Sequence, residues 1–158
     1  MKYWLTTDTH FGHDKMLEIG RPADYEQRIL RGLSALKQED VLIHLGDVCI
    51  GNDESNHAKF IVPLSVKKVL VKGNHDKKSD TWYLQNGWDF VCDSFSFNKF
   101  GKRLLFTHVP QAKRPDFDLN FHGHIHEAIH REYNPQDHHR CISLEVQGYQ
   151  PQNLEKLL

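Results

Sequence analysis

The chain has little that would staple it or anchor it. Its three cysteines, Cys49, Cys92 and Cys141, are an odd number with no C-x-x-C pair, which excludes a disulfide framework and a structural zinc knuckle. Each lies in or beside an apolar, strand-like run and reads as a small buried thiol in a reducing compartment. No apolar run approaches the roughly 18 residues of a membrane span. Met1-Lys2-Tyr3-Trp4-Leu5 is too short for a signal peptide, so the expected location is cytoplasmic. Charge of one sign is also missing: 20 basic against 21 acidic side chains leave a net charge of −1. A surface built to grip an extended duplex would carry a basic excess, so none is expected as a partner. There is no repeat, low-complexity tract or linker, and no serine or cysteine sits in a nucleophile elbow. With 158 residues, the expectation is a single domain over 1–158 that buries its own core.

Histidine is what the chain has in quantity: twelve, spread along its length rather than gathered at a terminus. Several fall in five short pieces, Asp8-Thr9-His10, Gly46-Asp47, Gly73-Asn74-His75-Asp76, Thr107-His108 and Gly123-His124-Ile125-His126. Each piece follows a run that reads as a β-strand: Lys2–Thr7, Val41–Leu45, Lys67–Val71, Arg103–Thr107 and Leu119–Phe121. Between them, Asp24–Lys37 carries Ile29, Leu30, Leu33 and Leu36 at helical spacing with Asp24 as N-cap. A short helix over His57–Leu64 is ended by Pro63, and another over Thr81–Asn86 closes at Gly87. Phe90–Phe97 reads as a strand joined to Arg103–Thr107 by a turn containing Gly101, and Arg140–Val146 alternates as a half-buried strand does. A β-α-β-α-β first half and a strand-rich second half predict a layered α/β sandwich, whose strand-end loops gather on one edge.

The five pieces offer only oxygen and nitrogen donors, which suits divalent transition metals. Asp8 and His10 stand two residues apart and face the same way on extended backbone, as do His124 and His126. Asp47 follows a buried run and a glycine, and its two oxygens can serve two ions at once. Asn74 adds a neutral carbonyl oxygen, and Gly73 lets the backbone approach closely. His75, beside a ligand, is placed to donate a proton to a leaving oxygen. The rival for each piece taken singly is an ordinary strand-end turn, with Asn74 opening a helix at Asp76.

In this order the pieces resemble the calcineurin-like metallophosphoesterase superfamily, over roughly Lys2 to Glu145. The resemblance implies two mixed β-sheets face to face with helices outside, in a compact member without a cap. It implies that Asp8, His10 and His126 hold one divalent ion, that Asn74, His108 and His124 hold a second, and that Asp47 bridges. Manganese heads the candidate metals, with Fe, Zn, Ni or Co accepted by the same donors. His75 would stay off the metals and serve the leaving group. The implied activity is hydrolysis of a phosphomonoester or phosphodiester, nucleotide-like, by metal-activated hydroxide. The rivals are a binding scaffold on the same fold and a nuclease acting on short or single-stranded nucleic acid.

His13, Arg21, Lys113 and Arg114 are candidates to hold substrate phosphate. Phe11, Trp82, Tyr83 and Trp88 offer rings to a base, with core packing as the plainer fate. Lys67, Lys68, Lys72, Lys77 and Lys78 read as a solvated rim. Many relatives carry a further Asp after Gly-Asp to orient the catalytic histidine. Here only Asp53 is near, so Asp53 or a backbone carbonyl must orient His75, or His75 is held less firmly. His13 apart, this leaves His44, His57, His122, His130, His138 and His139 without an assigned part.

Overall fold

The computed structural model describes residues 1–126 and 138–158; His130 lies outside them. In chain order the elements are β1 (Tyr3–Thr6), α1 (Lys15–Glu18), α2 (Tyr25–Ser34), β2 (Val41–His44), α3 (Asp53–Phe60), β3 (Lys67–Val71), α4 (Asp80–Gln85), β4 (Phe90–Cys92), β5 (Ser94–Lys99), β6 (Lys102–Thr107), β7 (Leu119–His122), β8 (His139–Cys141) and β9 (Gln152–Asn153), followed by a 3-10 turn over Leu154–Lys156.

Two mixed sheets with flanking helices result. One has the order β4-β3-β2-β1-β9, parallel except for the β1–β9 pair; the other has the order β5-β6-β7-β8, with β5–β6 antiparallel and the rest parallel. Alternation along the inner strands divides the apolar residues between two layers. Trp4, Leu42 and Leu70 pack with Ile29 and Leu33 of α2, Phe60 of α3 and Tyr83 of α4. Their neighbours Leu5, Ile43 and Val71 pack against Leu104, Phe106, Leu119 and Phe121 of the second sheet. Strands buried on both faces read as near-continuous apolar runs, which is why β2 and β3 look as they do in sequence.

Parallel β1, β2 and β3 end on the same edge, as do parallel β6 and β7. That edge therefore receives all five histidine- and aspartate-bearing pieces. Backbone bonds tie them together: Asp8 N–H donates to Gly46 O (2.9 Å), His10 N–H to Asp47 O (3.1 Å) and Gly123 N–H to His108 O (3.0 Å).

Several elements differ from the expectation. Helix α3 begins at Asp53, because Asn52 caps it by accepting from Ser55 N–H at 3.0 Å, and Phe60 ends it before Pro63 is reached. Asp24 takes the N-cap position of α2, but its side chain makes no capping bond; its carboxylate meets Arg28 at 2.9 Å one turn on. The run Phe90–Phe97 is two strands, β4 and β5, that break at Asp93 and join different sheets. Beyond Cys141 the alternation continues in sequence but the backbone turns, so Ser143–Val146 is not strand. Asp76 starts no helix. Its carboxylate accepts N–H bonds from Asp47 (2.7 Å), Gly73 (2.8 Å) and Val48 (3.1 Å), pinning two strand-end loops to each other. All three cysteines are free, but only Cys49 is fully buried. No helix among the described residues is long and apolar enough to cross a membrane.

Candidate metal centre

Two groups of potential ligands meet on this edge. In each, one donor atom per residue lies within 4.8 Å of the others: Asp8, His10 and His126 form one group, and Asp47, His108 and His124 the other. Asp8 Oδ1 lies 3.6 Å from His10 Nε2 and 3.5 Å from His126 Nε2. The partner oxygen, Oδ2, accepts from Thr7 Oγ1 (2.6 Å) and His124 N–H (2.9 Å). One oxygen is thus held and the other, buried, has no hydrogen-bond partner. In the second group Asp47 Oδ2 lies 3.3 Å from His108 Nε2, and Asn74 Oδ1 lies 2.9 Å from both His108 Nε2 and His124 Nδ1. The same Asp47 oxygen is 4.0 Å from His10 Nε2, between the two groups.

Backbone shape does much of the aiming. Among the described residues seven non-glycine positions have positive φ, and five of them are Asp8 (50°), His10 (47°), Asp47 (56°), His124 (69°) and His126 (45°). Left-handed backbone costs on the order of 1–3 kcal/mol at such residues and persists where the surroundings over-determine it. Here it turns side chains leaving the strand ends inward. Gly123 is needed for a different reason: a Cβ there would collide with Thr7 Oγ1 and Asp8 Oδ2.

Hydrogen bonds also set the imidazoles. His108 Nδ1–H donates to Leu45 O (2.7 Å), and His126 Nδ1 faces Glu145 Oε1 at 3.2 Å, so each turns its Nε2 into the site. Burial alone would lift the Asp8 carboxyl, but His10, His108 and His126 outweigh it and hold it far below the ordinary carboxylate range. Burial opposes charge on His108 too, yet Asp47 and Asp8 raise it to about 9. The pocket draws positive charge inward. An unpartnered buried carboxylate oxygen, the Nε2 atoms of His10 and His126 at 3.6 and 3.5 Å from it and an all O/N donor set fit a divalent cation in the first group. The second group fits on the same chemistry.

A family model described as calcineurin-like phosphoesterase matches residues 1–111. The chain belongs to that family. The match ends before Gly123-His124-Ile125-His126, which the second sheet delivers to the same edge. The family is metal-dependent, and this member offers two clusters able to hold metal. Among solved structures, the chain is similar to a protein of unknown function, AQ665 from Aquifex aeolicus (28% identity, 99% of each chain covered, TM-score 0.80). It is also similar in fold to an archaeal phosphodiesterase, at 20% identity over 80% of this chain and 74% of that one, with TM-score 0.53. No curated protein matches.

Around these two groups the remaining candidates separate. His13 and His75 line an open cavity of about 480 Å³ with His10, Asp47, Asn74, His124 and His126. Arg114 lines a neighbouring cavity of about 470 Å³ that shares Asn74, together with Lys72 and His108, while its guanidinium pairs with Asp116 at 3.2 Å. Lys113 is turned away, its ammonium donating to Phe117 O (2.7 Å) and Asp118 O (3.2 Å) to close its own loop. Arg21 is not a phosphate anchor either. It is buried, donating to Glu145 and to the carbonyls of Asp8 and Thr9. Its place in the sequence, after Gly20, carried no sign of this.

Asp53 does not orient His75: it opens α3, and its carbonyl accepts from His57 Nδ1 (2.9 Å). Among the described residues no hydrogen bond holds the exposed His75 ring, which lies edge-on to His10 at 5.7 Å. Phe11, Tyr83 and Trp88 are core, Phe11 stacking on Phe60 at 4.2 Å. The lysine rim is broken at Lys68, which is buried and donates to Leu64 O (2.6 Å) and Val66 O (3.1 Å). His44, without an assigned part in sequence, binds two ligand loops. Gly46 N–H donates to its Nδ1 (3.1 Å), which leaves Nε2–H for Thr9 Oγ1 (2.9 Å), whose hydroxyl donates to Val48 O (2.8 Å).

Proposed function

We propose that this single-domain cytoplasmic protein hydrolyses a phosphomonoester or phosphodiester of nucleotide-like size through a dinuclear centre, with manganese as the preferred metal. The observation that carries the reading is the position of Asp47 Oδ2, within reach of imidazole nitrogens of both ligand groups. One carboxylate so placed lets two cations sit close together. Bound there, a pair of divalent ions would neutralise the phosphoryl oxygens and supply hydroxide near neutral pH.

The chain's own residues divide the rest of the work. Asp8, His10 and His126 would hold one ion and Asn74, His108 and His124 the other, with Asp47 able to serve both. Asn74 adds no charge to repel an anion. The exposed His75 ring, on the cavity wall beside Asn74, protonates the departing alkoxide. Its amide N–H donates to Asp47 Oδ1 (2.8 Å), which ties the backbone of the proton donor to the bridging carboxylate. His13, on the same wall, meets the phosphate oxygens from the side of α1.

The test is a panel of phosphomonoesters, phosphodiesters and cyclic nucleotides with Mn-loaded protein. Turnover of at least one class, abolished by chelation and restored by Mn, is expected. Two bound ions with no turnover on any class would instead favour a binding scaffold.

A further inference from the structure

The buried pair Arg21–Glu145 is built more elaborately than packing requires. Glu145 Oε1 accepts from Arg21 Nε–H (2.8 Å) and stands 2.7 Å from Arg21 Nη2, while Oε2 accepts from Ser143 Oγ (2.6 Å). The remaining side of Oε1 faces His126 Nδ1 at 3.2 Å. Arg21 spends its other donors on the carbonyls of Asp8 (2.7 Å) and Thr9 (3.1 Å), and Tyr25 Oη donates to His10 O (3.0 Å). The rings of Tyr25 and Tyr149 lie 5.2 and 5.9 Å from the guanidinium carbon. The assembly therefore reaches the first ligand cluster at four points: the carbonyls of Asp8, Thr9 and His10 and the imidazole of His126.

As a device for stability alone, the pair makes poor sense. A buried ion pair roughly breaks even against well-packed apolar side chains. A carboxylate behind a ligand imidazole does something apolar packing cannot. It fixes the ring and its tautomer and makes the metal-facing nitrogen more basic. Among the described residues no carboxylate stands behind an imidazole of the second cluster in this way; behind His108 is the neutral carbonyl of Leu45.

We propose that Glu145, held by Arg21 and Ser143, is the positioning residue of the first ion, acting through His126, and that it makes the Asp8–His10–His126 site the tighter of the two. The inference rests on the two-metal reading of the site.

Calorimetric Mn titrations in two backgrounds test it. His124→Ala leaves the first site as the complete one, and His126→Ala leaves the second. Adding Glu145→Gln, which keeps the shape and removes the charge, should weaken Mn binding ~10–100-fold in the first background, on the scale typical of such supporting groups. In the second background it should change binding less than about twofold, since only the imidazole route is affected. Ser143→Ala, which leaves both charges in place, should produce a smaller loss of several-fold with the same selectivity. It decides the matter if Glu145→Gln does not fold. Equal weakening in both backgrounds, or none in either, overturns the proposal. Failure of the two-metal reading looks different: the unaltered protein would bind fewer than two Mn ions before any substitution is made.

Discussion

Asp8, His10 and His126 sit in a nearly closed shell, with Arg21, Tyr25 and Glu145 occupying the carbonyls and the imidazole behind them. Across the shared Asp47, the other cluster is half open. Asp47 and His108 are buried, but Asn74 and His124 are exposed, and the backbone carbonyl of Leu45 stands behind His108. A closed, charged shell favours retention of an ion. The cavity of about 480 Å³ opens on both clusters, but the open one also borders the cavity of about 470 Å³, which leaves room there for a phosphate and its ester group to approach. The two halves of the centre are alike in donor atoms and unlike in what stands behind them.

The strongest way to break the comparison is to remove what the halves share. Asp47→Asn should cost both ions, with activity falling further than the ~10²–10⁴-fold expected from loss of a general acid. His126→Ala and Asn74→Ala should each cost mainly one ion by elemental analysis. If either single-site variant lost both metals while Asp47→Asn kept them, the bridge would be wrongly assigned.

Next in size, His75→Asn should keep both ions and lose ~10²–10⁴-fold turnover on an alkyl ester, where the leaving oxygen needs a proton. On a nitrophenyl ester the loss should be far smaller. Equal losses on both would remove His75 from this role.

Gly123→Ala sharpens the contrast between the halves. Its Cβ would press on Thr7 and on the oriented oxygen of Asp8, both on the closed side. The first ion should weaken at least ~10-fold, as for the loss of a supporting contact, with the second less affected. Mn titration in the two histidine backgrounds reads this directly.

The last effect, on stability rather than on metal or turnover, concerns His44, which ties the loops of both halves. Burial holds it down to about 3, against an ordinary value near 6.5. A histidine depressed in the folded state leaves stability intact above its unfolded value and removes it as pH falls from about 6.5 toward about 3. Between about pH 7 and pH 4.5 this residue should account for at most ~2–3 kcal/mol of lost stability, at ~1.4 kcal/mol per unit. His44→Asn should be less stable at neutral pH and show a shallower acid loss in urea unfolding. A slope equal to that of the unaltered protein would deny His44 this part.

The five strand-end pieces were legible because metal chemistry admits few residue types and because buried strands announce themselves as apolar runs. Helix α2 was legible from its spacing of Ile29, Leu30 and Leu33. The start of α3 was not, since its cap, Asn52, stands among polar residues that carry no periodicity. Nor was the break between β4 and β5: Phe90–Phe97 reads as one β-favouring run, and only the pairing of Phe90 with Val69 and of Phe95 with Phe106 assigns the halves to different sheets. Arg21 was read as a free cation because arginines usually are exposed.

Sequence alone supplied the candidate donor atoms, their order, and their placement after strands, because each is a local matter of residue type and spacing. Which donors share an ion's place, which residues stand in left-handed backbone, and which carboxylate supports which imidazole were decided by the packing of one sheet on the other. Arg21 and Glu145 are 124 residues apart in the chain and 2.8 Å apart in space. No local pattern encodes such a contact. It exists because two strand-end edges, each driven inward by its own apolar run, close on the same point.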